Sequence, residues 1–399
     1  MAESEILIIG GGIAGASTAY HLAKEGHDVT LLERGEIAGE ASGVNAGSIG
    51  AMGWGNSPNL QSHLTMGSLE IFKSLELDQG YDIEFRASGA LQAIQSEQQY
   101  EFIRDRVLLL RSQGYSVELL TTREARSIEP EVNPELLGFM YLPYRAQADP
   151  GKATRAFASA AVHHGAQIFT GHEVTAINRF GDGTYQVTAA TEEFRGEKLV
   201  LAAGAWCGPL GAMLGLHIPI VPVRGQMWAT GVLAPRLFHT ISSSESALQW
   251  HTKAGNDAET PPELTHVGDT RITRHLYGRQ TRDGEIIFGG ERQMAGYSNS
   301  PDASGIEVNR GQAAEIIPLL SKLSVNRTWA GLMPFSLDGK PIIGKIPQGK
   351  NLYIVGGLAS SGFGRGPMAG KLLADYIHTG HRPQVLAEAD PTRCVSDAG

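Results

Sequence analysis

Two groups of residues in this chain have the types and spacing to do chemistry. The first is Gly10-x-Gly12-x-x-Gly15, which lies between the apolar run "EILIIG" and a segment with Ala and Leu at helical spacing. Glycines so placed make a tight turn and let the backbone approach a pyrophosphate at the positive end of a helix. Glu33 closes the next apolar run, "VTLLE". A carboxylate there accepts hydrogen bonds from ribose hydroxyls and repels a 2′-phosphate. The pattern predicts a dinucleotide with an unphosphorylated ribose. The second group lies in "RHLYGRQTRDGEIIFGG", where strand alternation puts His275 and Tyr277 on one face. A neutral imidazole accepts a proton from an amine or hydroxyl, and a phenol hydrogen-bonds a carboxylate.

The elements that must position these groups alternate between two styles. "EILIIG", the helix Ile13–Lys24 and "VTLLE" open a βαβ unit. Residues 35–58 are irregular and rich in small residues, too long for an ordinary connection. A helix follows to Leu77, then a short strand "GALQAI", a helix whose start "SEQQ" resembles a capping box, and a capped helix ended by Pro130. Helix and strand in the first style return from Pro150 to "KLVLAAGAW", residues 222–293 are strand-rich, and the last seventy or so residues return to strand, glycine turn and helix. These shifts predict one domain from 1–80, 143–225 and 325–399, and a second from 81–142 and 226–324.

Composition narrows the partners. The chain has 399 residues, 42% hydrophobic and 19% charged, as in globular proteins. Its net charge of −9 and lack of Lys/Arg blocks exclude nucleic acid. Glu3 and Glu5 stand where a secretion signal needs positive charge, and no window approaches a transmembrane span. A cytoplasmic protein is expected, one that touches a membrane at most peripherally. The two cysteines, Cys207 and Cys394, read as a buried thiol and a tail thiol. His63, His163 and His164 lack metal-ligand spacing, and no metal site is expected.

The ordered motifs "GGGIAG…ER", "ASGVNAG", "ADPGK", "EVTAI", "VLAAGAW", "PVRGQ", "GLMPFSLDGKPIIG" and "GFGRGPMAG" resemble, along nearly the whole chain, the D-amino acid oxidase-like superfamily of FAD-dependent enzymes. The resemblance implies an α/β plus α+β protein, with a Rossmann-like FAD-binding domain interleaved with a mixed-sheet substrate domain. The activity implied is hydride transfer from the C–N bond of a small amine or amino acid to flavin, with oxygen or a quinone as acceptor. Two alternatives stay open: 2-hydroxyacid oxidation, and a non-catalytic FAD-containing electron-transfer subunit.

Carried over by position, Gly10, Gly12, Ala14 and Gly15 would hold the diphosphate, with Glu33 and Arg34 on the adenosine side. Ala41, Ser42, Asn45, Ala46 and Gly47 would line the diphosphate and ribityl region, with Ser48 near the ring. Val174 would meet adenine, Ala203 and Gly204 would admit the cofactor, and Gly362, Phe363 and Gly364 would bring a helix N-terminus to the flavin. Relatives that bind flavin covalently use a Cys near "GLMPF" or a His in the early loop. Neither is present, so non-covalent FAD is expected. His275 and Tyr277 match the substrate-facing pair of glycine oxidases. Amino-acid-oxidising relatives commonly place an Arg where Met333 stands, and its fork pairs with the substrate carboxylate. Arg365 or Arg274 is then the candidate replacement, unless the substrate is not a simple α-amino acid. Arg224 reads as structural. Ser361 departs from a His that relatives often have before "GF".

Overall fold

The computed structural model describes residues 2–50, 58–252 and 259–398. Its first sheet has a parallel core in the order Gln167–Phe169, Val29–Leu32, Ala2–Ile9, Glu192–Leu201, Leu352–Gly356, with Ile342–Lys345 antiparallel at the edge. The first strand alternates between two cores. Ile6 and Ile8 face a helical layer, while Leu7 and Ile9 face the hairpin Val174–Arg179/Tyr185–Ala189 and the helix Cys207–Met213. Burial on both faces explains the uninterrupted apolar run. The helices Ile13–Lys24, Pro58–Leu77, Pro150–His163 and Gly362–Thr379 form the helical layer. Ser17 Oγ, on the first of these, donates to the Pro367 carbonyl of the last at 2.8 Å, which fixes their N-termini side by side.

The second sheet is mixed, in the order Val325–Ser336, Ile220–Val232, Glu285–Gly289, Tyr277–Gln280, Thr240–Ser243, Ala90–Ile94, Gly138–Leu142, Glu118–Leu120. Its one parallel pair joins Ala90–Ile94 to Thr240–Ser243. Two segment limits drawn from sequence meet this sheet. Ile220–Val232 runs through the limit at 225, and Val325–Ser336, grouped above with the first domain, pairs with it from Ile220–Ser336 to Thr230–Val325. A strand that passes from one layer to the next keeps the same alternation, so composition carries no mark of the crossing.

Local signals behave as their chemistry predicts. Thr121 and Glu124 form a complete capping box. At "SEQQ", Ser96 accepts from the Gln99 N–H, but the Gln99 side chain reaches the N–H of Gln95 rather than of Ser96. The irregular stretch after Glu33 contains the short helix Ala41–Val44 and the strand Ser48–Ile49. Three strands follow Gln167–Phe169 up to Leu201. Residues 253–258, in "KAGNDAETPPELT", whose composition predicts a surface loop, lie outside the described residues.

Candidate active site

A cleft of about 280 Å³ runs along the C-terminal ends of the parallel strands, where open α/β sheets bind ligands. Its floor is the glycine turn. Gly10 has φ +119°, and a Cβ there would lie 2.5 Å from the Ala202 carbonyl oxygen. Behind it, a Cβ on Gly15 would lie 2.0 Å from the Gly10 oxygen, so Gly15 serves helix–turn packing and does not face the cleft. The Glu33 carboxylate bridges the turn, accepting from Gly11 N–H at 2.6 Å and Gly35 N–H at 2.9 Å. Arg34 pairs with Glu40 and stacks its guanidinium 3.7 Å from the ring centre of Trp206. Trp206 thus lines the cleft beside Val174, Ala203 and Gly204, a position the sequence reading missed.

Gly12, Ala14, Ala41, Ser42, Asn45, Gly362 and Phe363 also line the cleft. Ser42 Oγ accepts from the Ile13 N–H at 2.9 Å and so meets the start of the first helix. The Asn45 side chain is occupied by its own loop, donating to the carbonyls of Ala41 and Ser42 and accepting from Gly47 N–H. Ala46 and Gly47 lie behind the cleft. The buried Arg279 donates to the Ala46 carbonyl at 2.6 Å and the Ala148 carbonyl at 3.0 Å, clamping the loop from beneath.

A second cavity of about 190 Å³ adjoins the first, sharing Asn45, Tyr277, Ala359, Ser360 and Phe363 with it. His275, Tyr277 and Arg365 meet there, and Ser48 and Gly364 face it rather than the first cleft. The His275 and Tyr277 ring centres lie 5.8 Å apart on one face, with Leu276 in the core on the other. The Arg365 guanidinium is buried, and its hydrogen bond among the described residues is a long one to Thr65 Oγ1, at 3.4 Å.

The arginine that sequence reasoning missed is Arg292. Its Nη1 pairs with Glu263 at 2.8 Å, and its guanidinium lies 4.3 Å from the ring centre of Trp250. Its Nη2 donates to His275 Nε2 at 3.3 Å. A guanidinium only donates, so Nε2 accepts and Nδ1 carries the proton, donated to Ser246 Oγ at 2.7 Å. Burial, reinforced by Arg292, holds His275 well below the usual histidine range. Burial also raises Tyr277, keeping its phenol protonated as a donor.

Three sequence expectations change here. His275 is neutral as expected, but its lone pair is committed to Arg292. Arg274 is held by Glu245 at 2.8 Å and Glu315 at 2.7 Å and does not line the cavity. Met333 lines the first cleft, where its sulfur lies 3.6 Å from the Cβ position of Gly225, and not the second cavity. Strand alternation cannot distinguish two cavities on the same side. Arg224 is structural, donating to Gln293 Oε1 at 2.7 Å and the Ser300 carbonyl at 3.0 Å. His63, His163 and His164 are exposed, and Cys207 is buried and free.

A glycine-turned cleft at the ends of a parallel sheet, opening into a cavity walled by a second mixed sheet, defines a dinucleotide-dependent oxidoreductase architecture. The family model for DAO, FAD dependent oxidoreductase, matches residues 5–376, and the chain belongs to that family. It is 28% identical to the glycine oxidase of Bacillus licheniformis over 381 residues, covering 94% of this chain and 92% of that one. The crystal structure of glycine oxidase from Geobacillus kaustophilus superposes with a TM-score of 0.84 at 25% identity, covering 98% and 99%. That of L-proline dehydrogenase from P. horikoshii gives 0.83 at 25%, covering 98% of each chain. The cradle fits FAD: the glycine turn leaves room for a diphosphate, and Glu33 and the Arg34–Trp206 stack offer a hydrogen-bonding and a stacking surface at the other end. Among the described residues no helix is long and apolar enough to cross a membrane, and no cluster could hold a metal ion.

Proposed function

We propose that this protein oxidises the C–N bond of a small amine bearing a carboxylate. The observation that carries the reading is the convergence of Tyr277, Arg292 and Arg365 on one cavity at the end of the cofactor cleft. FAD, when bound, supplies the hydride acceptor. Gly10, Gly12, Ala14, Ser42, Glu33 and Arg34 hold it, without a covalent bond.

The chain's own residues bind and orient. Arg292 and Arg365 hold the substrate carboxylate, and the Tyr277 phenol donates a third hydrogen bond. Trp250 covers the guanidinium of Arg292. His275 fixes the guanidinium of Arg292 through Nε2 and takes no proton from substrate.

This favours amine over alcohol. A neutral amine needs no base before hydride leaves it, whereas a 2-hydroxyacid must surrender a hydroxyl proton, and the one imidazole of the cavity has no free lone pair. A cavity built around Tyr277 and two arginines likewise argues against a purely structural flavin. The likeness to both an oxidase and a dehydrogenase leaves oxygen and a quinone as the acceptors to compare. A cytoplasmic location accords with the reading.

The test is flavin absorbance under anaerobic conditions during a screen of D- and L-amino acids, N-methylated amino acids, carboxylate-free amines and 2-hydroxyacids. Bleaching by amines with a carboxylate is expected. Bleaching only by 2-hydroxyacids or by carboxylate-free amines overturns the reading.

A further inference from the structure

The second cavity holds more positive charge than one substrate carboxylate can balance. Arg292 has Glu263, but neither Arg365 nor Arg145 has a carboxylate partner among the described residues. Burial disfavours the charged form of both, yet a guanidinium stays protonated in proteins. A cation held away from water without an ion-pair partner is unfavourable, so a cavity lined by the buried Arg365 and the half-buried Arg145 is built for an anionic occupant. This concentration of positive charge stands out in a chain whose net charge is −9.

The two cations sit in different groups. Arg365 and Arg292 both feel Glu263, beside His275 and Tyr277. Arg145 lies beside Tyr144, in the turn between Gly138–Leu142 and Ala146–Gln147, and its Nη2 donates to Ser48 Oγ at 2.5 Å. Around it are buried polar atoms without a partner among the described residues: Arg145 Nε, the Tyr144 hydroxyl, and the Thr240 hydroxyl across the same cavity. Each such atom is unfavourable, and native structures keep few of them without a ligand or functional reason. All three can donate a hydrogen bond.

We infer that the substrate carries two acidic groups: an amine whose first carboxylate sits at Arg292 and Arg365, and whose second anionic group, carboxylate or phosphonate, sits against Arg145, Tyr144 and Thr240. This rests on the proposed function for the amine. The distal subsite is separable from it, because non-oxidisable anions bind without chemistry.

The experiment is calorimetric titration of the FAD-loaded protein with propionate, succinate, glutarate and phosphonoacetate. Succinate or glutarate should bind about 10- to 100-fold more tightly than propionate, the worth of a hydrogen-bonded charge. Arg145→Gln should weaken the dicarboxylates far more than propionate, and Tyr144→Phe should do so in part, with bound-flavin absorbance showing that each variant folds. Phosphonoacetate above the dicarboxylates identifies a phosphonate as the distal group; the reverse order identifies a carboxylate. Equal binding of mono- and dianions, or an equal loss of both in Arg145→Gln, overturns the inference. If dianions bind tightly yet no amine bleaches the flavin, the oxidation reading fails and the subsite stands. If glycine and sarcosine are oxidised as well as amino dicarboxylates and dianions bind no better, the subsite fails and the oxidation reading stands.

Discussion

Arg292 Nη2 donates to His275 Nε2 across 3.3 Å, while His275 Nδ1 is held by Ser246 at 2.7 Å. Both imidazole nitrogens are therefore occupied, and the ring acts as a strut for the guanidinium rather than as a base. A positioning role has a kinetic signature distinct from proton transfer. His275→Gln should raise KM about tenfold and leave kcat within about threefold, since one hydrogen bond of about 1–1.5 kcal/mol is lost. Steady-state kinetics would reject the assignment if kcat collapsed and an ionisation near neutral pH vanished with it.

Arg292 itself should matter more. On the proposed function, Arg292→Met removes a charge-assisted contact with substrate and frees Glu263 to repel the incoming carboxylate. A loss of about 100-fold in kcat/KM is expected. Met333→Ala, in the neighbouring cleft, should instead alter FAD affinity or the flavin spectrum, with a smaller change in substrate KM. Measuring both variants with one substrate separates the two cavities.

His275 and Glu263 are both committed to Arg292, so on the proposed function neither takes a proton and the substrate arrives as a free amine. kcat/KM should therefore rise with pH along a limb that follows the amine's own pKa. Two substrates whose amines differ in basicity should give limbs displaced by the same amount. A limb at a fixed pH for both would implicate a protein group.

Stability has its own pH dependence. Burial, helped by Lys371 and Lys24, pushes His21 down to about 3, and His275 is also held low. The unfolded chain binds protons at both sites as pH falls through about 6.5, while the folded chain does not. Stability present above that value is lost as pH falls from 6.5 towards 3, by up to about 1.4 kcal/mol per pH unit for each histidine. Thermal melts of the FAD-loaded protein should show Tm dropping from pH 7 to 5. His21→Gln, which cannot ionise, should drop less.

Cofactor release is equally direct to observe. Acid precipitation should leave all of the yellow flavin in the supernatant. Glu33→Ala, which removes the acceptor bridging Gly11 and Gly35, should weaken FAD binding about tenfold or more. Colour retained in the pellet would mean a covalent bond.

The sequence showed the cofactor side far better than the substrate side, for a physical reason. The first helix was legible to its ends at Ile13 and Lys24, and Gly10, Gly12 and Glu33 all line the predicted cleft. That cradle is assembled from one contiguous βαβ unit, so its geometry is local and spacing encodes it. Arg292 follows a glycine pair with no motif around it. It becomes part of the site only because Trp250, Glu263 and His275 reach it from other segments. Ala46 and Gly47 lie behind the cleft. Their small size suits cofactor contact, but it serves equally to pass beneath Arg279. Arg145 gave no signal, because the role proposed for it depends on buried atoms without partners among the described residues.

The pairing of distant segments has a consequence for biosynthesis. The second sheet needs Val325–Ser336 against Ile220–Val232, and the first needs Leu352–Gly356 against Glu192–Leu201. Neither layer can be completed while the ribosome still holds the last quarter of the chain. Ala90–Ile94 must wait for Thr240–Ser243, its parallel neighbour. Nascent chains of this protein therefore emerge with open strand edges and uncovered apolar faces, the species that chaperones engage. Its yield in a cell should track chaperone supply more closely than the stability of the finished fold would suggest.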